Sequence, residues 1–110
     1  MGAELLKSFF FILILIAVAL EVLADILFKK WAIVNQTSLL IAGLVIYFVG
    51  TMAWAFSLKY EYLSKAITIF SILNLVAIAL VGVFLFKEDL SWINKLGLAT
   101  GIISVILLQI

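Results

Sequence analysis

The sequence has no cysteine, no histidine and no proline. Without cysteine there is no disulfide and no thiol chemistry, and without histidine no imidazole metal site, so neither metal nor cofactor is expected. Without proline, any break in a helix must come from glycine or from polar residues. Charge is scarce as well. Seven basic and six acidic residues leave a net charge of +1. With no long basic run, nucleic-acid binding is not expected. No pair of carboxylates is placed to face a watery cleft, and with no histidine or cysteine either, the chain does not read as an enzyme.

What is present is apolar. Sixty-eight per cent of the residues are hydrophobic and the mean hydropathy is +1.43, against about half in an ordinary soluble domain. This is the composition of an integral membrane protein. A chain of 110 residues has room for about four spans with short loops and for no separate soluble domain. Lys7, the apolar run after it and the triplet Ala17-Val18-Ala19 imitate a secretory signal peptide. Three further apolar runs follow, so the first run is read as a transmembrane helix.

The expected spans are residues 9–28, 37–58, 66–86 and 93–110. Residues 37–58 and 66–86 carry no charge, and the last span carries only Lys95, which can snorkel from its end. Helices satisfy their own backbone polar groups in lipid, and alternating segments of about ten residues, as a barrel needs, are absent. The fold class is therefore all-α, a single domain over residues 1–110 with four transmembrane helices. Trp31, Tyr60, Tyr62 and Trp92 sit at the span edges as an interfacial aromatic belt.

Within the first span lies a carboxylate. Glu21 is two or three residues past the centre of residues 9–28, roughly 4 Å from the bilayer midplane. A charge there costs about 2.5–3.5 kcal/mol on insertion scales, so an acid at that depth is a functional candidate by default. Burial disfavours its charged form. Such a group can hold a proton or a cation but not both, and with access to one side at a time this makes an exchanger. The bland alternative is a structural carboxyl, neutral and hydrogen-bonded to a helix.

Tyr47 is at the middle of the second span and Asn74 is about two residues from the middle of the third, so both share the depth of Glu21 within about 5 Å. Tyr47 can hydrogen-bond a carboxylate or face a cation with its ring. Asn74 can donate to a carboxylate or accept from an ammonium group. The alternative for both is an interhelical hydrogen bond. Ser71 and Thr68 are candidate cavity hydroxyls, with bonding to their own helix as the alternative. Trp54 is read as packing.

Lysines are almost evenly shared between the two membrane faces. Lys7, Lys59 and Lys65 fall on one side, and Lys29, Lys30, Lys87 and Lys95 on the other. A three-to-four split is too small to fix orientation. Either the first helix decides, or the chain inserts both ways and assembles as an antiparallel pair. Four helices enclose little, and a dimer is the economical way to hide Glu21. Gly97, Gly101 and Ser104 share one face of the fourth span and offer close backbone approach, either to a second copy or within the monomer.

Nearly the whole chain resembles the small multidrug resistance transporters. The family's acidic motif corresponds to Leu20-Glu21-Val22, its lysine at the end of span one to Lys29 and its span-two tyrosine to Tyr47. The turn Phe86-Lys87-Glu88-Asp89-Leu90-Ser91 is similar to the F-x-E-x-L-S turn of the wider drug/metabolite group, and Gly97 matches the span-four glycine. There are departures. Where multidrug and guanidinium exporters read A-Y-A-x-W, this chain has Ala66-Ile67-Thr68-Ile69-Phe70, so Phe70 replaces the tryptophan. The following G-x-G is Ile72-Leu73-Asn74. Asp25 has no acidic counterpart in those branches.

The resemblance implies a multi-pass protein of a bacterial or archaeal cell (inner) membrane. It acts as a dimer, with itself in dual topology or with a paralogue, and exchanges protons for small organic cations. The expected site residues are Glu21, Tyr47 and Phe70, at positions the resemblance marks, and Asp25, Ser71 and Asn74, read from the polar groups of this chain's own spans. Two rivals stand beside this reading. One is a non-transporting subunit that needs a paralogue. The other is a flippase for lipid-linked amphiphiles, a branch that tends to lack the span-one acid. Asp25 has two readings of its own: a neutralising partner for Lys29 at i, i+4, or a second carboxylate in a column with Glu21. Such a column suits a polyamine-like dication, and the loss of aromatic surface in span three points the same way.

Overall fold

Four long apolar runs without proline fold into four α-helices in the computed structural model, which describes residues 2–109 apart from the side chains of Ala3, Val105, Leu108 and Gln109. The helices are α1 (Gly2–Val34), α2 (Thr37–Ser57), α3 (Leu63–Phe84) and α4 (Trp92–Gln109). No strand occurs among the described residues. Met1 and Ile110, the ends of the expected domain, lie outside them. α1, α2 and α3 are each long and apolar enough to cross a membrane. α4, at 18 residues, spans about 27 Å, close to the hydrocarbon thickness. α1 reaches well beyond residues 9–28 in both directions. The bounds of the other three helices fall within three residues of those expected.

The connections are tight. α1 ends where Asn35 takes a left-handed conformation, φ 57°, and donates its N–H to the Trp31 carbonyl at 2.7 Å. Asparagine tolerates that conformation better than most residues, and the bond closes an exposed helix end. Gln36 is extended, and α2 starts at the next residue. α3 ends at Phe84, and a second left-handed residue, Lys87, φ 53°, follows three positions later. The Glu88 N–H then returns to the Gly82 carbonyl at 3.0 Å. Ser91 Oγ accepts the N–H of Asn94 at 3.1 Å, a side-chain cap on the first turn of α4.

The chain divides into two compact units, Met1–Leu63 and Ser64–Ile110. In the first, α1 and α2 form an antiparallel hairpin in close contact along its length. Its seam is built from small residues. Ala17 and Ala24 on α1 have no exposed surface, and Gly43 and Gly50 on α2 are buried. The backbone carbonyl of Ala24 lies 3.4 Å from where a Gly43 Cβ would stand, and that of Ala17 3.5 Å from the Gly50 position. The pairing steps by seven residues on both helices, and one further step reaches Phe10 and Ser57, which are also buried. Two turns at 3.6 residues each return nearly to the same face, so a seven-residue spacing keeps a straight seam. Most large apolar side chains point the other way, Phe48 being 67 % exposed, while Phe10 and Ile14 are buried. Small residues inside and bulky ones outside is the arrangement of helices that pack in lipid. Near the end of the hairpin Phe9 and Tyr60 pair their rings at 5.9 Å, and Lys59 lies 5.1 Å from the Phe56 ring centre. Tyr60 is one of the expected belt residues.

In the second unit α3 and α4 do not approach closely along their length. α3 runs unbroken through Ile72-Leu73-Asn74, where the related pattern has paired glycines. A cleft of about 210 Å³ lies between the two helices. Ile78, Val83, Leu90 and Leu98 are among the side chains lining it, with Glu88 and Asn94 as its polar members.

Candidate functional site

Glu21 sits on the seam of the hairpin. Its Cγ is 3.3 Å, and the Leu20 Cβ 3.1 Å, from where a Cβ on Gly50 would stand. The stem of the acid therefore lies directly against α2 backbone, at a place where any other residue would hold the helices apart. Glu21 as a whole is half-buried. Asp25 is one turn further along α1, also half-buried, and the two acids share a face because i and i+4 are neighbours on a helix.

The same register sets the depth of Tyr47. With Ala17 opposite Gly50 and Ala24 opposite Gly43, Tyr47 falls level with Leu20 and Glu21. Its ring pairs with that of Phe28 at 6.4 Å between centres, inclined by 46°. Phe28 in turn lies across Gly43, its Cε1 and Cδ1 being 2.7 and 2.8 Å from where a Cβ would stand. Tyr47 keeps 44 % of its surface exposed, and its backbone carbonyl accepts the Thr51 hydroxyl at 2.9 Å. The first unit thus assembles two carboxylates and an aromatic pair along one seam. Chemically this can hold a proton, a cation beside an acid, or a cation beside a ring. Lys29 and Lys30 are exposed at the end of the same face or next to it.

In the second unit the expected residues lie on α3 and α4. Asn74 Oδ1 is buried and makes no hydrogen bond among the described residues. An orphaned carbonyl of this kind costs roughly 1–3 kcal/mol until a donor arrives. Phe70 and Ser71 are half-exposed on the preceding turn. Thr68 donates its hydroxyl to the Ser64 carbonyl at 2.7 Å, so its proton is spent on its own helix. On α4 a Cβ added at Gly97 would meet nothing within 4 Å, and one at Gly101 would only graze Leu75 Cδ2 at 4.0 Å. Ser104 is exposed. Gly97 and Ser104 therefore do not serve packing among the described residues.

Three features were not found from the sequence. The Gly43–Gly50 seam was missed although its signal, small residues seven apart on both α1 and α2, was there to read. Phe28 was missed because an aromatic residue in an apolar run carries no mark of its own. The fold-back of Glu88 onto Gly82, where its carboxylate occupies the space of the missing Cβ, depends on a turn geometry that spacing does not reveal.

Compared with known families, residues 9–103 match the family model described as Small Multidrug Resistance protein. Comparison with curated proteins and with solved structures finds no match.

Proposed function

The chain belongs to the small multidrug resistance family, whose members are transporters and not enzymes, and from that premise we propose that it exports small organic cations in exchange for protons, with Glu21 as the carboxyl group both compete for. The observation that carries this reading is the position of Glu21: a carboxyl deep within an apolar helix, its stem pressed on glycine backbone. The nearest lysine along its own helix is Lys29, eight residues away, or about 12 Å. No lysine can neutralise an acid cheaply at that distance, so occupancy by a proton or by a cation is what makes it tolerable. Tyr47 supplies ring surface to a cation at the same level, and Phe28, packed on Tyr47, lies about a turn further along the seam. Within its own unit, Asn74 offers the unpaired acceptor that an ammonium N–H would satisfy.

Asp25 extends the reading to dications. One turn from Glu21, it forms with it a column whose carboxyl groups stand about 6 Å apart, a spacing that suits a linear, polyamine-like substrate. For assembly, the even lysine split and the uncontacted Gly97 face of α4 favour a dual-topology antiparallel homodimer in a bacterial or archaeal cell membrane.

The test is reconstitution of the purified chain alone in liposomes. Guanidinium, aromatic, quaternary and polyamine cations are then offered under a pH gradient while current is recorded. Current with at least one class, absent in Glu21→Gln, supports the exchanger. Silence with every class sinks the homodimeric exchanger and leaves a subunit that needs a paralogue.

A further inference from the structure

We infer that Gly50 is a positioning residue for Glu21: the missing Cβ on α2 sets where the carboxyl group sits, and with it the ease of losing its proton. This rests on the reading of Glu21 as the exchanging carboxyl and assigns it a second residue, on the facing helix.

The seam offers two glycines in equivalent positions, seven residues apart, and they differ in what they touch. A methyl at Gly50 would stand 3.1 Å from the Leu20 Cβ and 3.3 Å from the Glu21 Cγ. Both contacts are tighter than ordinary van der Waals distance. The Leu20 Cβ is fixed to α1 backbone and cannot swing away. Relief comes only by parting the helices by a few tenths of an ångström or by turning Glu21 about χ1, and either change moves the carboxyl relative to α2. A methyl at Gly43 would meet the edge of the Phe28 ring instead, with the Ala24 carbonyl at an ordinary 3.4 Å. A ring edge is the far end of a side chain, and it can swing aside. The two positions share burial, register and small-residue packing, and only one of them bears on the acid.

The charged and titratable groups facing Glu21 in this hairpin are few. On its own helix there is Asp25, one turn away, and α2 from Thr37 to Ser57 carries no charged residue, with Tyr47 its one titratable side chain. A displaced Glu21 therefore meets a changed distance to Asp25 and to Tyr47, and changed access of water. Each of these alters the balance between its protonated and ionised forms.

The experiment reads that balance without a substrate. The protein, labelled at the glutamate carboxyl carbons, is titrated in lipid bilayers by NMR. Four glutamates give signals, Glu4, Glu21, Glu61 and Glu88, and the Glu21 signal is the one that vanishes in Glu21→Gln. Gly50→Ala is expected to move the Glu21 midpoint by about half a pH unit or more, about a threefold change in proton affinity, while Gly43→Ala leaves it in place. Should Gly50→Ala not accumulate in the membrane, combining it with Leu20→Gly removes the fixed Cβ at 3.1 Å and leaves the Glu21 Cγ contact at 3.3 Å, so that double variant must still move the midpoint. Equal shifts at both seam positions reduce Gly50 to packing and overturn the inference, as does no shift at either. A native Glu21 signal that does not titrate at all fails the exchanger reading itself, and that outcome is seen before any glycine is changed.

Discussion

The two units of this protein solve opposite problems. In the first, α1 and α2 close on one another through alanine and glycine, so the hairpin holds itself together while most of its bulky side chains face outward. In the second, α3 and α4 leave a cleft between them and, among the described residues, a Cβ at Gly97 would meet nothing within 4 Å and Asn74 Oδ1 has no donor. The first unit has finished its packing and carries the expensive carboxylates. The second has surface and hydrogen-bonding capacity still to spend. One unit that mounts the acid firmly and another that keeps unsatisfied surface fit a transporter better than a static bundle.

The largest effect should fall where the acid is mounted. Glu21→Gln is expected to reduce substrate-driven proton release in liposomes to the level of empty vesicles, and Glu21→Asp to retain it in weakened form. Glu88→Gln, the carboxylate of the second unit, should keep coupling. Loss of coupling in Glu88→Gln as complete as in Glu21→Gln would break the contrast between the units.

Next comes topology. Two extra lysines placed in either loop set should lock the orientation and lower activity when that variant is expressed alone, and oppositely locked variants should restore activity together. Full activity of each locked variant by itself would rule out the antiparallel pair. The seam and the open face can then be set against each other. Gly50→Leu overpacks the hairpin and should cost about 1–3 kcal/mol of stability, read by denaturant titration in micelles. Gly97→Leu should leave that stability alone and weaken self-association, read by crosslinking in membranes. If the two exchange effects, the division between a closed and an open unit is wrong.

Smaller still, Asp25→Asn should weaken linear dications about tenfold, or about 1.4 kcal/mol, while monocations change little. Uniform weakening of all cations, rescued by Lys29→Gln, would make Asp25 a partner of Lys29 and end the dication reading. The smallest effect is expected at Asn74. Its replacement by leucine should weaken cation binding by no more than one interhelical hydrogen bond in a membrane, under about 1–2 kcal/mol. An unchanged affinity would leave the unpaired acceptor without a part in binding.

The helices were legible because their signal is coarse. Long uncharged runs with no proline leave lipid-spanning helices as the one economical fold, and Glu21 stood out because an acid is rare at that depth. The partners were harder to see. A glycine seam is written in what is missing from two helices at once, and it becomes visible only when their register is known. The notice given to Gly97 and Gly101 came from the same small-residue rule applied within one helix, where chance matches are common. Thr68 illustrates the converse: a hydroxyl in an apolar run looks like a cavity group until its bond to Ser64 is seen.

The short joint between α1 and α2 has a consequence for what the gene can tolerate. Asn35 and Gln36 are the whole connection, and Asn35 is tied back to Trp31. Each helical residue advances about 100°. One residue inserted there and taken up into the first turn of α2 would rotate the rest of that helix by that angle. Gly43 and Gly50 would leave the seam, and a bulky neighbour would be driven against Glu21. The joint thus acts as a phase setting for the hairpin. Length changes among descendants of this sequence should accumulate in the connections after α2 and α3, and the two residues between Val34 and Thr37 should stay two.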